Sequence, residues 1–118
     1  MVDAIKAAYT AITATAEAQA RFAGGVFPLY AEEGTDRPFI TYKVDEVNPE
    51  AKGGLGNYNL AVTVFDDDYL NGAQSAQNIK EQLLEAGILK SFYFQGSDSD
   101  YSNDLKTAYV TMSFTFKK

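Results

Sequence analysis

The 118-residue chain has no cysteine, no histidine and no tryptophan. Each absence removes a class of chemistry. Without cysteine there is no disulfide framework, thiol nucleophile, zinc ribbon or iron–sulfur cluster. Without histidine there is no Ser-His-Asp triad, no imidazole-bound metal and no side chain that titrates near neutrality unaided. Basic residues are scarce as well: ten Lys and Arg against sixteen Asp and Glu give a formal charge of -6. They are scattered, with only Lys117 and Lys118 adjacent, whereas a nucleic-acid binder draws most of its affinity from clustered cations set against phosphates. Sequence-specific nucleic-acid binding is therefore not expected. No stretch approaches the roughly 20 apolar residues of a membrane span. The start, Met1-Val2-Asp3-Ala4-Ile5-Lys6, carries an acid at position three and no apolar run of signal-peptide length. The expectation is a non-enzymatic chain, without cofactor, metal or membrane partner, folded in a cytosol.

What remains is the composition of a globule, 46% apolar, 14% aromatic and 22% charged. The length suits one domain over residues 1–118, and a chain of this size buries roughly two-thirds of its unfolded surface.

An Ala-rich stretch over residues 2–20 places Ile5, Ala8, Tyr9, Ile12, Ala16 and Gln19 at helical spacing, and Gly24-Gly25 supplies a stop. Val26-Phe27-Pro28-Leu29-Tyr30 reads as a short extended piece that Pro28 confines to an edge or a connector. Residues 37–47 and 58–65 alternate as strands. Phe39, Thr41, Lys43 and Asp45 share one face of the first, opposite Ile40, Tyr42, Val44 and Glu46. Residues 48–57, with three glycines and Pro49, read as a long hairpin loop. A second helix is predicted from a cap at Asn71 through Ala73, Ala76, Ile79, Lys80, Leu83 and Leu84 to Gly87. Residues 88–95 and 105–116 read as two more strands around a polar turn at 96–104. In the last strand Ala108, Val110, Met112, Phe114 and Phe116 point inward, with Tyr109, Thr111, Ser113 and Thr115 outward. The predicted class is α+β, a mainly antiparallel four-stranded sheet with two helices in the order α-β-β-α-β-β.

The chemistry-bearing clusters each have a plainer structural explanation. Asp66-Asp67-Asp68 has the residue type for Mg²⁺ or Ca²⁺, but it lacks the alternating acids, Gly and distal Glu of a calcium loop, and acids before a helix offset its dipole. Gly53-Gly54-Leu55-Gly56 lies between two strands with no Lys-Ser or Lys-Thr after it, which is not a phosphate cradle. Asp98, Asp100 and Asp104 lack a bidentate Glu and read as a solvated turn. Tyr58, Tyr93, Tyr101 and Tyr109 have the type of a base-stacking platform, yet no basic patch accompanies them, so core rim or protein interface is the expected role. For partner contact the residues singled out are Pro49, Lys52 and Leu55 in the long loop, and Tyr109 and Thr111 on the exposed strand face.

Three segments, Val26-Phe27-Pro28-Leu29-Tyr30, Arg37-Pro38-Phe39-Ile40-Thr41-Tyr42 and Leu60-Ala61-Val62-Thr63-Val64-Phe65-Asp66, taken with the order of elements, resemble the small tail-completion (tail terminator, head–tail joining) proteins of long-tailed bacteriophages and prophages. In that family an N-terminal helix precedes a Pro-aromatic-aliphatic strand, and an aliphatic strand ends just before an Ala- and Gln-containing helix. Ala73-Gln74-Ser75-Ala76-Gln77-Asn78-Ile79 stands in that last position here. The triple Asp and the Gly-rich loop depart from the family pattern. The resemblance spans most of the chain, and it implies a homo-oligomeric ring, usually a hexamer, that ends the tail tube and joins it to the head connector. Its partners would be other copies of itself, the tail tube protein and the head–tail connector protein, in the host cytoplasm during assembly and then in the virion tail. An acidic surface would keep a DNA passage from sticking. Two other readings stay open: a monomeric α+β module capturing a partner along a sheet edge, and a small Mg²⁺-dependent hydrolase using the acidic clusters.

Overall fold

The computed structural model describes residues 1–23, 25–47, 57–104 and 106–117. Among the described residues three helices, α1 (Val2–Thr13), α2 (Ala16–Arg21) and α3 (Tyr69–Ala86), accompany five strands, β1 (Val26–Pro28), β2 (Phe39–Val47), β3 (Asn57–Asp66), β4 (Lys90–Ser102) and β5 (Thr107–Lys117). The strands form one sheet in the order β1-β2-β3-β5-β4. The β1–β2 pair is parallel and the other three are antiparallel.

The four-stranded antiparallel sheet with two helices is thus corrected to a mixed five-stranded sheet with three. Two local causes account for it. The predicted helix over 2–20 breaks at Thr15, whose hydroxyl donates to the Ile12 carbonyl at 2.7 Å and accepts from the Ala18 amide at 3.2 Å. That hydroxyl caps a new helix rather than continuing the old one. Pro28 does sit on an edge, but it ends a strand that runs parallel to β2, with the Leu29 amide donating to the Tyr42 carbonyl at 2.8 Å. Leu29 takes a positive φ of 66° there, which turns the chain out of the strand.

The predicted turn over 96–104 is a second correction. β4 continues to Ser102 in regular register with β5, Asp98 opposite Thr111 and Asp100 opposite Tyr109. Ser and Asp are poor strand formers, and here pairing with a strongly alternating neighbour overrides their preference. A bulge near Gly96 (φ 145°) re-aims the strand before that acidic stretch.

The core lies between one face of the sheet and the helices α1 and α3. The sheet contributes Ile40, Tyr42, Val44, Leu60, Val62, Val64, Met112, Phe114 and Phe116. α1 turns Ala4, Ala8, Ala11 and Ile12 inward, small side chains that let the helix lie close to the sheet. α3 turns in Gly72, Ser75, Ala76, Ile79 and Leu83 and stops at Gly87, whose φ of 64° suits the left-handed cap. At Gly72 the backbone passes so near β3 that a Cβ would meet Asp66 Cβ at 3.0 Å. On this face Phe114 stacks between Phe92 (4.7 Å between centroids) and Phe94 (5.5 Å).

Candidate functional site

Among the described residues, the other face of the sheet carries no helix. The two-residue period delivers Phe39, Thr41, Lys43 and Asp45 from β2, Ala61, Thr63 and Phe65 from β3, and Tyr109, Thr111, Ser113 and Thr115 from β5 to it. Register then sorts them into rows across the strands. One row is aromatic: Phe27–Phe39 at 6.3 Å, Phe39–Phe65 at 4.6 Å and Phe65–Tyr109 at 5.6 Å, four rings from four neighbouring strands. The next row is hydroxylic, Thr41, Thr63 and Thr111 in register, with the Thr63 and Thr111 hydroxyls 3.0 Å apart. Cross-strand pairs of this kind hold a sheet together.

Among the described residues, the centre of that face carries no charge. Lys43 and Asp45 pair with each other at 3.4 Å toward one side, and on the β4 rim Asp98 and Asp100 are exposed without a cationic partner among the described residues. An aromatic, charge-poor middle with charges at the rim is the composition of a protein-contact surface.

Tyr109 and Thr111 both lie on this face, half-buried and adjacent to Phe65 and Thr63. Pro49, Lys52 and Leu55 lie outside the described residues, as do the rest of the 48–56 segment with its glycine cluster. The four tyrosines do not form one platform: Tyr58 is buried against Phe116 at 5.4 Å, Tyr101 flanks the helix side of the sheet, and Tyr93 and Tyr109 face the open side two strand positions or more apart. Sequence reasoning passes over Phe39, Phe65 and Phe27 in this row, of which Phe39 is buried and the other two are half-buried. The signal for them is a phenylalanine on the polar side of each of two consecutive strands.

The three aspartates before α3 have separate duties. Asp68, not Asn71, caps the helix, its Oδ1 accepting from the Leu70 amide at 2.9 Å and the Asn71 amide at 3.4 Å. Asp67 pairs with Arg37. Asp66 is buried, accepts from Arg21 at 2.7 Å and from the Asp68 amide at 2.9 Å, and so ties α2 to the end of β3. Arg21 also donates to Ser75, which in turn donates to Glu17 at 2.7 Å, while Asn78 reaches the other Glu17 oxygen at 3.1 Å. This network clamps α2 onto α3 through mutually satisfied polar groups. Among the described residues no three acidic side chains gather as a metal site.

No protein-family model and no curated protein matches the chain. Solved structures do match. One is a chain of a particle described as the virion of a native gene transfer agent: it superposes with a TM-score of 0.67 over 92% of this chain and 89% of that one, at 14% identity. The two chains share a fold over nearly their whole lengths.

Proposed function

We propose that this chain is a structural component of a phage-like particle, a non-enzymatic protein that works by assembling. The observation that carries the reading is the fold held in common with a chain of a gene transfer agent virion over about nine-tenths of both lengths. Within that class we infer the tail-completion role: a ring of identical copies that ends the tail tube and joins it to the head connector, made in the host cytoplasm and carried in the virion tail. The helix-free face favours this reading, because its half-buried, aromatic and charge-poor part around Phe65, Tyr109 and Thr111 is suited to a neighbour. The acidic balance of the chain suits a passage that DNA must traverse without adhering.

Light scattering coupled to size exclusion tests it. A mass of several copies, disrupted when residues 52–56 are deleted, supports the ring and assigns a contact to that loop. A second reading, a monomeric module that captures a strand, is favoured by one observation, the 13-residue edge strand β4. A monomer at high concentration that also ignores the tail tube protein in a pull-down supports that module instead.

A further inference from the structure

We infer that the helix-free sheet face is covered by helix α1 of a second copy of the same chain, packed front to back. The inference rests on the ring reading and assigns the surfaces that would meet.

The open face asks for a particular occupant. Its middle is aromatic and hydroxylic, and its only unpaired described charges toward the β4 rim are Asp98 and Asp100. A partner must therefore bring an apolar stripe with a cation on it. The chain itself offers few such surfaces. Arg21, Arg37 and Lys43 already face acids of their own chain. Lys90 and Lys117 stand opposite each other at one end of the β4–β5 pair, and Lys106 closes the turn two residues from Asp104. On α3, Lys80 lies over the Phe94 ring at 4.7 Å, and the outer face presents Gln77, Glu81 and Glu85, which would repel the aspartates.

α1 is different. Its solvent side carries Val2 (64% exposed), Lys6 and Tyr9 (45% exposed) at helical spacing, with one exposed acid, Asp3, a turn before Lys6; Lys6 has no acidic partner among the described residues. Laying that stripe over Phe65, Tyr109 and Thr111 sets the Lys6 ammonium toward Asp98 and Asp100. The sheet then has helices on both faces, the layering that half-buried sheets otherwise lack. α1 and the open face are opposite surfaces of one copy, so the contact is heterologous, and repetition about an axis closes a ring.

Charge exchange tests this. In light scattering over a concentration series, Lys6→Glu and the double change Asp98→Lys with Asp100→Lys should each raise the concentration needed for assembly at least about tenfold. Joining Lys6→Glu with Asp98→Lys and Asp100→Lys in one chain should restore it. Unchanged melting temperatures would show that the variants fold. Because the chain has no cysteine, a second readout is clean: Thr10→Cys with Ser113→Cys should give a ladder of disulfide-linked copies under mild oxidation, and Thr10→Cys with Gln77→Cys should not. A multi-copy wild type whose mass neither reversal alters, or whose ladder comes from the α3 cysteine, overturns the contact and leaves the ring reading standing. A wild type that stays monomeric, with no ladder from either cysteine pair, overturns both.

Discussion

The two faces of one sheet obey different rules. The covered face is built from branched and aromatic side chains that interdigitate with α1 and α3, and almost every one is fully buried. The open face buries Phe39 and Thr41 at its β2 side and leaves Phe65, Tyr109, Thr63 and Thr111 half-buried, through ring-on-ring contacts and threonines bonded across strands. Stability resides on the first face, and the second is the one proposed for contact. In a chain this short the distinction matters, because one core must carry nearly all of the folding free energy.

The largest test of this contrast compares a phenylalanine from each face. Phe114, 1% exposed and flanked by two other rings, should cost about 3–5 kcal/mol when changed to Ala. Phe65→Ala on the open face should cost only about 1 kcal/mol. Urea denaturation reads both, and equal losses would erase the difference between the faces.

The clamp that holds α2 to the covered side comes next. Arg21→Ala leaves the Asp66 carboxylate buried without its cation, and about 2 kcal/mol should be lost, with Arg21 itself partly exposed and its share discounted accordingly. Increased amide exchange confined to residues 16–22 would identify α2 as the part released. Removing the helix cap with Asp68→Ala should cost about 1 kcal/mol, whereas Asn71→Ala, at the position where the sequence pattern alone puts the cap, should fall within about 0.5 kcal/mol of wild type.

The smallest effect is in alkali. Burial, and after it the neighbouring Tyr9, raise the ionisation of the Tyr42 phenol above its usual value of 10.0. The unfolded chain therefore gives up that proton at a lower pH than the folded one, so stability should hold up to about pH 10 and decline above it. Tyr42→Phe should flatten the decline, which melting curves across the range from about pH 9 to about pH 11.5 would follow.

The two-residue period makes both faces legible in the sequence itself. Alternation alone separates Ile40, Tyr42 and Val44 from Phe39, Thr41 and Lys43, and it sorts the inward set of β5 in the same way. What escapes it is set by tertiary pairing rather than by local preference. Nothing in Ser97-Asp98-Ser99-Asp100 favours a strand except the partner beside it, and a three-residue parallel β1 carries no periodic signal at all. The break at Thr15 is masked by an Ala-rich pattern that runs through it, although a buried threonine between two turns is a capping signal. Among the surface residues that the sequence singles out, Tyr109 and Thr111 can be placed because strand alternation orients them. The aromatic row that Tyr109 completes and Thr111 borders is hidden because it is assembled from four separate strands.

The division between the faces is tested most directly by Ser113→Arg, a bulky cation placed in the middle of the open face on an exposed position. Sedimentation velocity of this variant beside the wild type, at one concentration and with melting curves in parallel, is the measurement. If the open face is the contact surface, the melting temperature stays unchanged and the variant gives a slow, single-copy boundary where the wild type sediments as a ring. A variant that sediments with the wild-type ring would contradict it.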